Sequence, residues 1–210
     1  TNTKQNIDSV FNEAENLMYK HKLNKSKKVY KGIIETLKQL MYKNLYECYQ
    51  HSQRIKQMAI KFGEYLGMSI KELNNLKMVA ELHDLGKLSR LNLTKSYSSL
   101  NMNKKDNHPE ISYQIVRSLP ELNQVAEGLL YHHEWWDGTG YPHKLSREEI
   151  PYLSRVISVL DEYDKLTEYY YYEYKLTKKE ALKNIKKLAG IKFDPGIAKK
   201  FIKFITMEEI

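Results

Sequence analysis

The sequence predicts an all-α fold, a bundle of helices. Apolar residues recur at three- and four-residue steps along most of the chain, as buried helical faces require. Helix-start and helix-stop signals punctuate those stretches, and no alternation of apolar and polar residues reads as a strand.

The elements follow in order. Between Asn44 and Leu66, the residues Leu45, Ile55, Met58, Ala59, Phe62 and Leu66 make one apolar face, and Gly67 stops the helix. Ser69 with Glu72 forms a capping box for the next helix, whose stripe is Leu73, Leu76, Val79, Ala80 and Leu82. Residues 88–107, rich in Ser, Asn and Lys, read as a loop. A helix starts near Pro109, and Pro120 opens another that runs to about His133. Residues 134–148 form a second loop with Gly138, Gly140 and Pro142. A helix from Ile150 to about Thr167 turns Leu153, Val156, Ile157 and Leu160 inward. Thr177 with Glu180 caps the next, Gly190 ends it, and Asp194-Pro195 opens the last.

The bulk numbers bound the classes. With 210 residues, 41% of them hydrophobic and 29% charged, the chain suits one globular domain with a small attachment. Residues 1–30, a weaker helix and the polar stretch Asn24-Lys25-Ser26-Lys27-Lys28, read as the attachment, and 31–210 as the domain. The chain opens on Thr1, which suggests a fragment. No apolar run reaches the roughly 18 residues that span a bilayer, so no membrane contact is expected of this piece. The single Cys48 excludes an internal disulfide and fits a cytoplasmic setting. A net charge of +8 is open to two readings, affinity for anions or a solvated lysine surface, and the spread of the lysines favours the second. No motif supports nucleic-acid binding.

The chemistry lies in a mixed set of histidines and carboxylates. Glu47 and His51, four apart, share a helix face. His83 and Asp84 close a helix, with Lys87 three residues on; His108 begins one, and His132 and His133 end one. Asp161 precedes Asp164 on the helix after the second loop. Each histidine taken alone is more often structural, and His21 and His143 stay in that class. Together, imidazoles and carboxylates suit borderline divalent metals, and eight candidate ligands exceed one tetrahedral site. Two metals a few Å apart can activate water and clamp an in-line displacement at phosphorus, with a lysine to neutralise developing charge.

At this point the residues resemble a known family. His83-Asp84-Leu85-Gly86-Lys87 resembles the HD-x-GK motif of HD-domain phosphohydrolases. His132-His133-Glu134 followed by Asp137-Gly138-Thr139-Gly140-Tyr141-Pro142 is similar to the HHE…DGxGYP signature of the HD-GYP subfamily, with His108-Pro109-Glu110 between them. Asp161 to Thr167 resembles the D-x-x-D-x-L-T motif, and Phe193-Asp194-Pro195 the late FDP. The resemblance implies an HD-domain helical bundle with a buried bi- or trinuclear centre of iron or manganese, and hydrolysis of cyclic di-GMP to linear dinucleotide or GMP. It implies Glu47, His51, His83, Asp84, His108, His132, His133 and Asp161 as ligands, with Asp84 bridging and Lys87 on the substrate phosphate beside Asp164. It implies a GYP loop that shapes the site and contacts partners. Residues 10–20 resemble the terminal helix of GGDEF domains, so a GGDEF domain in cis or in trans, or a second copy of the chain, is an expected partner.

Two segments depart from the family pattern. Tyr170, in the run 169–172, stands where the family carries a phosphate-binding arginine; the tyrosines either stack on bases or are plain helix surface. Leu88-Ser89-Arg90-Leu91 replaces an apolar element, and Arg90 is the expected substitute charge. Three readings stay open: an active cyclic di-GMP phosphodiesterase, an enzyme of shifted specificity, and a binding module without catalysis.

Overall fold

The computed structural model describes residues 29–92, 107–168 and 175–207, without the side chains of 90–92. The readings placed on residues 10–20 and on Tyr170 therefore lie outside the described residues, as does the side chain of Arg90. The chain divides into Thr1–Gln39 and Leu40–Ile210. In the first unit the described residues 29–39 are helical, tied by the Thr36 hydroxyl donating to Gly32 O at 2.9 Å.

The described part of the second unit is a helical bundle. After the end of a helix described over 29–44 (α1) come α2 (Tyr46–Tyr65), α3 (Ile70–Leu82), α4 (His108–Arg117), α5 (Asn123–Leu130), α6 (Tyr152–Thr167), α7 (Lys178–Leu188) and α8 (Pro195–Met207). The only β pairing among the described residues is the isolated bridge Ala189–Phe193. Both expected capping boxes form: Glu72 N donates to the Ser69 hydroxyl at 3.4 Å and Glu180 N to that of Thr177 at 3.3 Å. Asp194 Oδ1 accepts from Gly196 N at 2.8 Å, capping α8.

The stripe on α2 places Ile55, Ala59 and Phe62 in the core, and His51 lies on that same stripe. Helix α6 packs against α2, α3, α5, α7 and α8. Its residues from Val156 to Asp164 are all buried. A one-sided stripe was expected there; a central helix surrounded by others has no solvent face. Three carboxylates, Asp161, Glu162 and Asp164, are therefore buried at the bundle's centre and need partners.

Two further differences bear on the site. Residues Leu85–Asn92 form a 3-10 helix where a loop was expected to begin at 88. Gly86 N donates to the Ser112 hydroxyl at 2.8 Å, so contact with α4 shapes this stretch. The segment after Pro120 is a 3-10 turn followed by α5, which ends at Leu130 rather than near His133. His132 and His133 thus lie in a turn. Successive residues of an α-helix point about 100° apart; the turn lets both imidazoles face one site.

Candidate metal centre

Five segments converge on the centre. Helix α2 supplies His51, the end of α3 supplies His83, and α6 supplies Asp161; one donor atom from each lies within 4.8 Å of the others. The start of α4 supplies His108, and the turn after α5 supplies His132 and His133; their donor atoms form a second group under the same limit. All six are buried except His133, which is half-buried. In the first group His51 Nε2 is 2.9 Å and His83 Nε2 3.8 Å from Asp161 Oδ1. In the second, His108 Nε2 and His132 Nε2 are 3.3 Å apart.

Asp84 lies between the groups. Its Oδ1 is 3.2 Å from His108 Nε2, while its Oδ2 is 3.7 Å from His83 Nε2 and 4.0 Å from His51 Nε2. Lys87 Nζ reaches that Oδ2 at 2.6 Å. One carboxylate thus presents an oxygen to each triad, the placement that a bridging ligand requires.

Backbone and carboxylate contacts fix the rings. His83 Nδ1 donates to Ala80 O at 2.9 Å and His132 Nδ1 to Leu129 O at 2.7 Å. A carbonyl only accepts, so both rings carry their proton on Nδ1 and turn a bare Nε2 toward the centre. His83 Nε2 is buried and has no hydrogen-bond partner. Such an orphan acceptor is costly without a ligand, and a divalent cation fits it. His51 Nδ1 lies 2.6 Å from Asp164 Oδ2, and Arg54 grips both oxygens of Asp164 at 2.8 Å. Asp164 thus lies behind the His51 ring, on the nitrogen remote from Asp161.

The electrostatics suit metal donors. Burial pushes the His83 imidazole down to about 4 and that of His133 down to about 3, and holds His132 well below its ordinary value. All three are neutral donors at pH 7. His51 differs: burial pushes it down, but Asp161 and Asp164 outweigh burial and leave it raised. Burial likewise pushes Asp84 and Asp161 up, yet His83 and Lys87 around the first, and Lys165 and His51 around the second, hold both well below the carboxylate range.

Two glycines belong to this geometry through close approach. A Cβ on Gly86 would stand 2.1 Å from His108 O, so only glycine lets the 3-10 helix pack against the start of α4. The Ser112 hydroxyl locks that contact by donating to His83 O at 2.9 Å. A Cβ on Gly140 would meet Trp135 N at 2.3 Å. There the loop folds back on itself, and buried Glu134 accepts from His143 N at 2.7 Å and Leu145 N at 3.1 Å. The Tyr141 ring stacks on His133 at 5.1 Å, beside Pro142. Asp137 accepts from Thr139 N at 2.9 Å, and Gly138 takes a positive φ in the same turn. The GYP segment thus reaches the second triad through the Tyr141 ring on His133.

The structure therefore brings His51, His83, Asp84, Lys87, His108, His132, His133 and Asp161 together. Glu47 is exposed on the first turn of α2 and belongs to neither triad. Sequence reasoning gave no role to Arg54, Glu134 or Lys165, whose Nζ is 2.5 Å from Asp161 Oδ2. For Lys165 a signal existed: it stands one turn beyond Asp161, the spacing of a helical ion pair.

Comparison with known proteins agrees with this geometry. The HD domain family model matches residues 35–197. A cyclic di-GMP phosphodiesterase of Thermotoga maritima is 29% identical over 81% of this chain and 48% of its own length. The cyclic di-GMP phosphodiesterase response regulator RpfG of Xanthomonas campestris is 34% identical over 68% of this chain and 39% of its own. The crystal structure of a cyclic GMP-AMP specific phosphodiesterase of Vibrio cholerae superposes with a TM-score of 0.62 at 20% identity, over 83% of this chain and 48% of that one. The chain thus spans about half or less of these proteins' length. With two histidine-rich triads beside the aspartate of its HD motif, and a family match across most of its length, this chain belongs to the HD domain family.

Proposed function

We propose that this domain hydrolyses a phosphodiester bond of a cyclic dinucleotide, cyclic di-GMP first, at a centre of two divalent ions, iron or manganese. The observation that carries this reading is Asp84, whose two oxygens face two separate triads. His51, His83 and Asp161 would hold one ion, and His108, His132 and His133 the other, with Asp84 shared. When bound, the metals supply Lewis acidity toward a phosphoryl oxygen and lower the pKa of water. The chain's own groups do the rest. The Nδ1 contacts of His83 and His132 aim their donor atoms, and the Lys87 ammonium beside Asp84 offers a cation to charge that builds on the phosphate. Tyr141 fixes the half-buried His133 ring at the edge of the site.

A second reading, specificity for a mixed cyclic dinucleotide, draws on a specific likeness. A 3'3'-cGAMP-specific phosphodiesterase of Vibrio cholerae is 28% identical over 78% of this chain. The deciding experiment is product chromatography on protein loaded anaerobically with iron or manganese and given cyclic di-GMP and 3'3'-cGAMP side by side. Linear dinucleotide or mononucleotide is the expected product. If both substrates stay intact in protein whose metal content has been verified, the phosphodiesterase reading fails.

A further inference from the structure

We propose that Lys165 is a second phosphate-binding cation of this centre, facing Lys87 across the Asp84–Asp161 pair; this deepens the phosphodiesterase reading and rests on it for the identity of the substrate.

Lys165 reaches Asp161 Oδ2 at 2.5 Å from α6, and Lys87 reaches Asp84 Oδ2 at 2.6 Å from the 3-10 helix. Asp161 Oδ1 and Asp84 Oδ2 face the same His51 Nε2 at 2.9 and 4.0 Å, so the two lysine–carboxylate pairs meet at one junction. The Lys165 ammonium also contributes to holding the His133 imidazole of the second triad low. The oxygen of Asp161 that faces His51 and His83 is Oδ1, leaving Oδ2 to the lysine. A metal in the first triad and an ammonium on the far oxygen can therefore coexist.

The charge balance then points to an anion. Two divalent ions already exceed the charge of two carboxylates. Two lysines add to that excess, and cations crowded in a largely buried site repel unless a counter-charge joins them. A phosphodiester, or the phosphomonoester it yields, brings that charge. The Lys165 side chain keeps 16% exposure against 5% for that of Asp161, so the lysine is the more accessible of the pair.

The test uses the full chain loaded with manganese, as wild type, Lys165→Met, Lys165→Gln and Lys165→Arg. Inorganic phosphate is the probe in calorimetric titration, and metal content is read by mass spectrometry. Lys165→Met and Lys165→Gln are expected to keep the wild-type metal content while the phosphate dissociation constant rises about tenfold or more. Lys165→Arg is expected to restore most of the affinity. With cyclic di-GMP, KM should rise more than kcat falls. Phosphate affinity unchanged at equal metal content overturns the proposal, and so does a loss of metal in every neutral variant. Should wild type leave cyclic di-GMP intact, the phosphodiesterase reading fails, and the phosphate titration still decides the role of Lys165.

Discussion

Single residues set the terms of the centre. His83 contributes an unpartnered buried Nε2 and Asp84 an oxygen to each triad. Their removal should act on metal before anything else. His83→Ala and Asp84→Ala are each expected to lower metal retained after desalting, and to lower activity by more than the roughly 10–100-fold typical of groups that only support a ligand. Mass spectrometry of the desalted protein checks the first, with circular dichroism to show the helices intact. Full metal content in Asp84→Ala would sink the bridging role. Most of this was legible from local sequence, because the pairs His83-Asp84 and His132-His133 sit in recognisable surroundings. The supports were less so. Arg54 and Lys165 are lone charges on helices, and such charges usually mark a solvated face. Packing of α6 against α2 brings Arg54 to Asp164, whereas Lys165 reaches Asp161 one turn away within α6 itself.

At the scale of elements, start signals were the readable part. Ser69, Thr177 and Asp194 cap helices as expected, since a cap is satisfied by residues within one turn. The 3-10 helix of Leu85–Asn92 was not readable, because its partner Ser112 lies 26 residues away from Gly86. The same contact yields a prediction. Gly86→Ala forces a methyl against His108 O, where overpacking costs about 1–3 kcal/mol. Calorimetry should show a melting temperature lower by roughly 2–4 °C for each kcal/mol in a chain of this size. The shift of α4 should also displace His108 and weaken metal retention. A variant with wild-type melting and metal content would mean the close approach relaxes freely.

At the scale of the described bundle, the candidate ligands come from helices α2, α3, α4 and α6 and the turn after α5 and meet at one centre. Bound metal should therefore stabilise the bundle globally. Free manganese at about a hundred times its dissociation constant adds roughly 2.7 kcal/mol. A chelator should lower the melting temperature accordingly, and an unchanged melting curve across that titration would argue that the six donors do not act as one centre. The all-α class was legible from periodicity. The central place of α6 was not, because a stripe of apolar residues does not reveal how many neighbours a helix will have. No helix among the described residues is long and apolar enough to cross a membrane.

The pairing of His51 with Asp161 spans 110 residues. During synthesis the chain emerges at about 5–20 residues per second, so several seconds separate the two ligands. Until α6 has left the ribosome the first triad lacks Asp161, and a nascent or truncated chain ending before it offers that triad His51 and His83 with Asp84 as the one carboxylate beside them. If the triad holds a metal, its full donor set exists only in a chain completed through α6, so metal uptake would come late in synthesis and would report that the fold has closed.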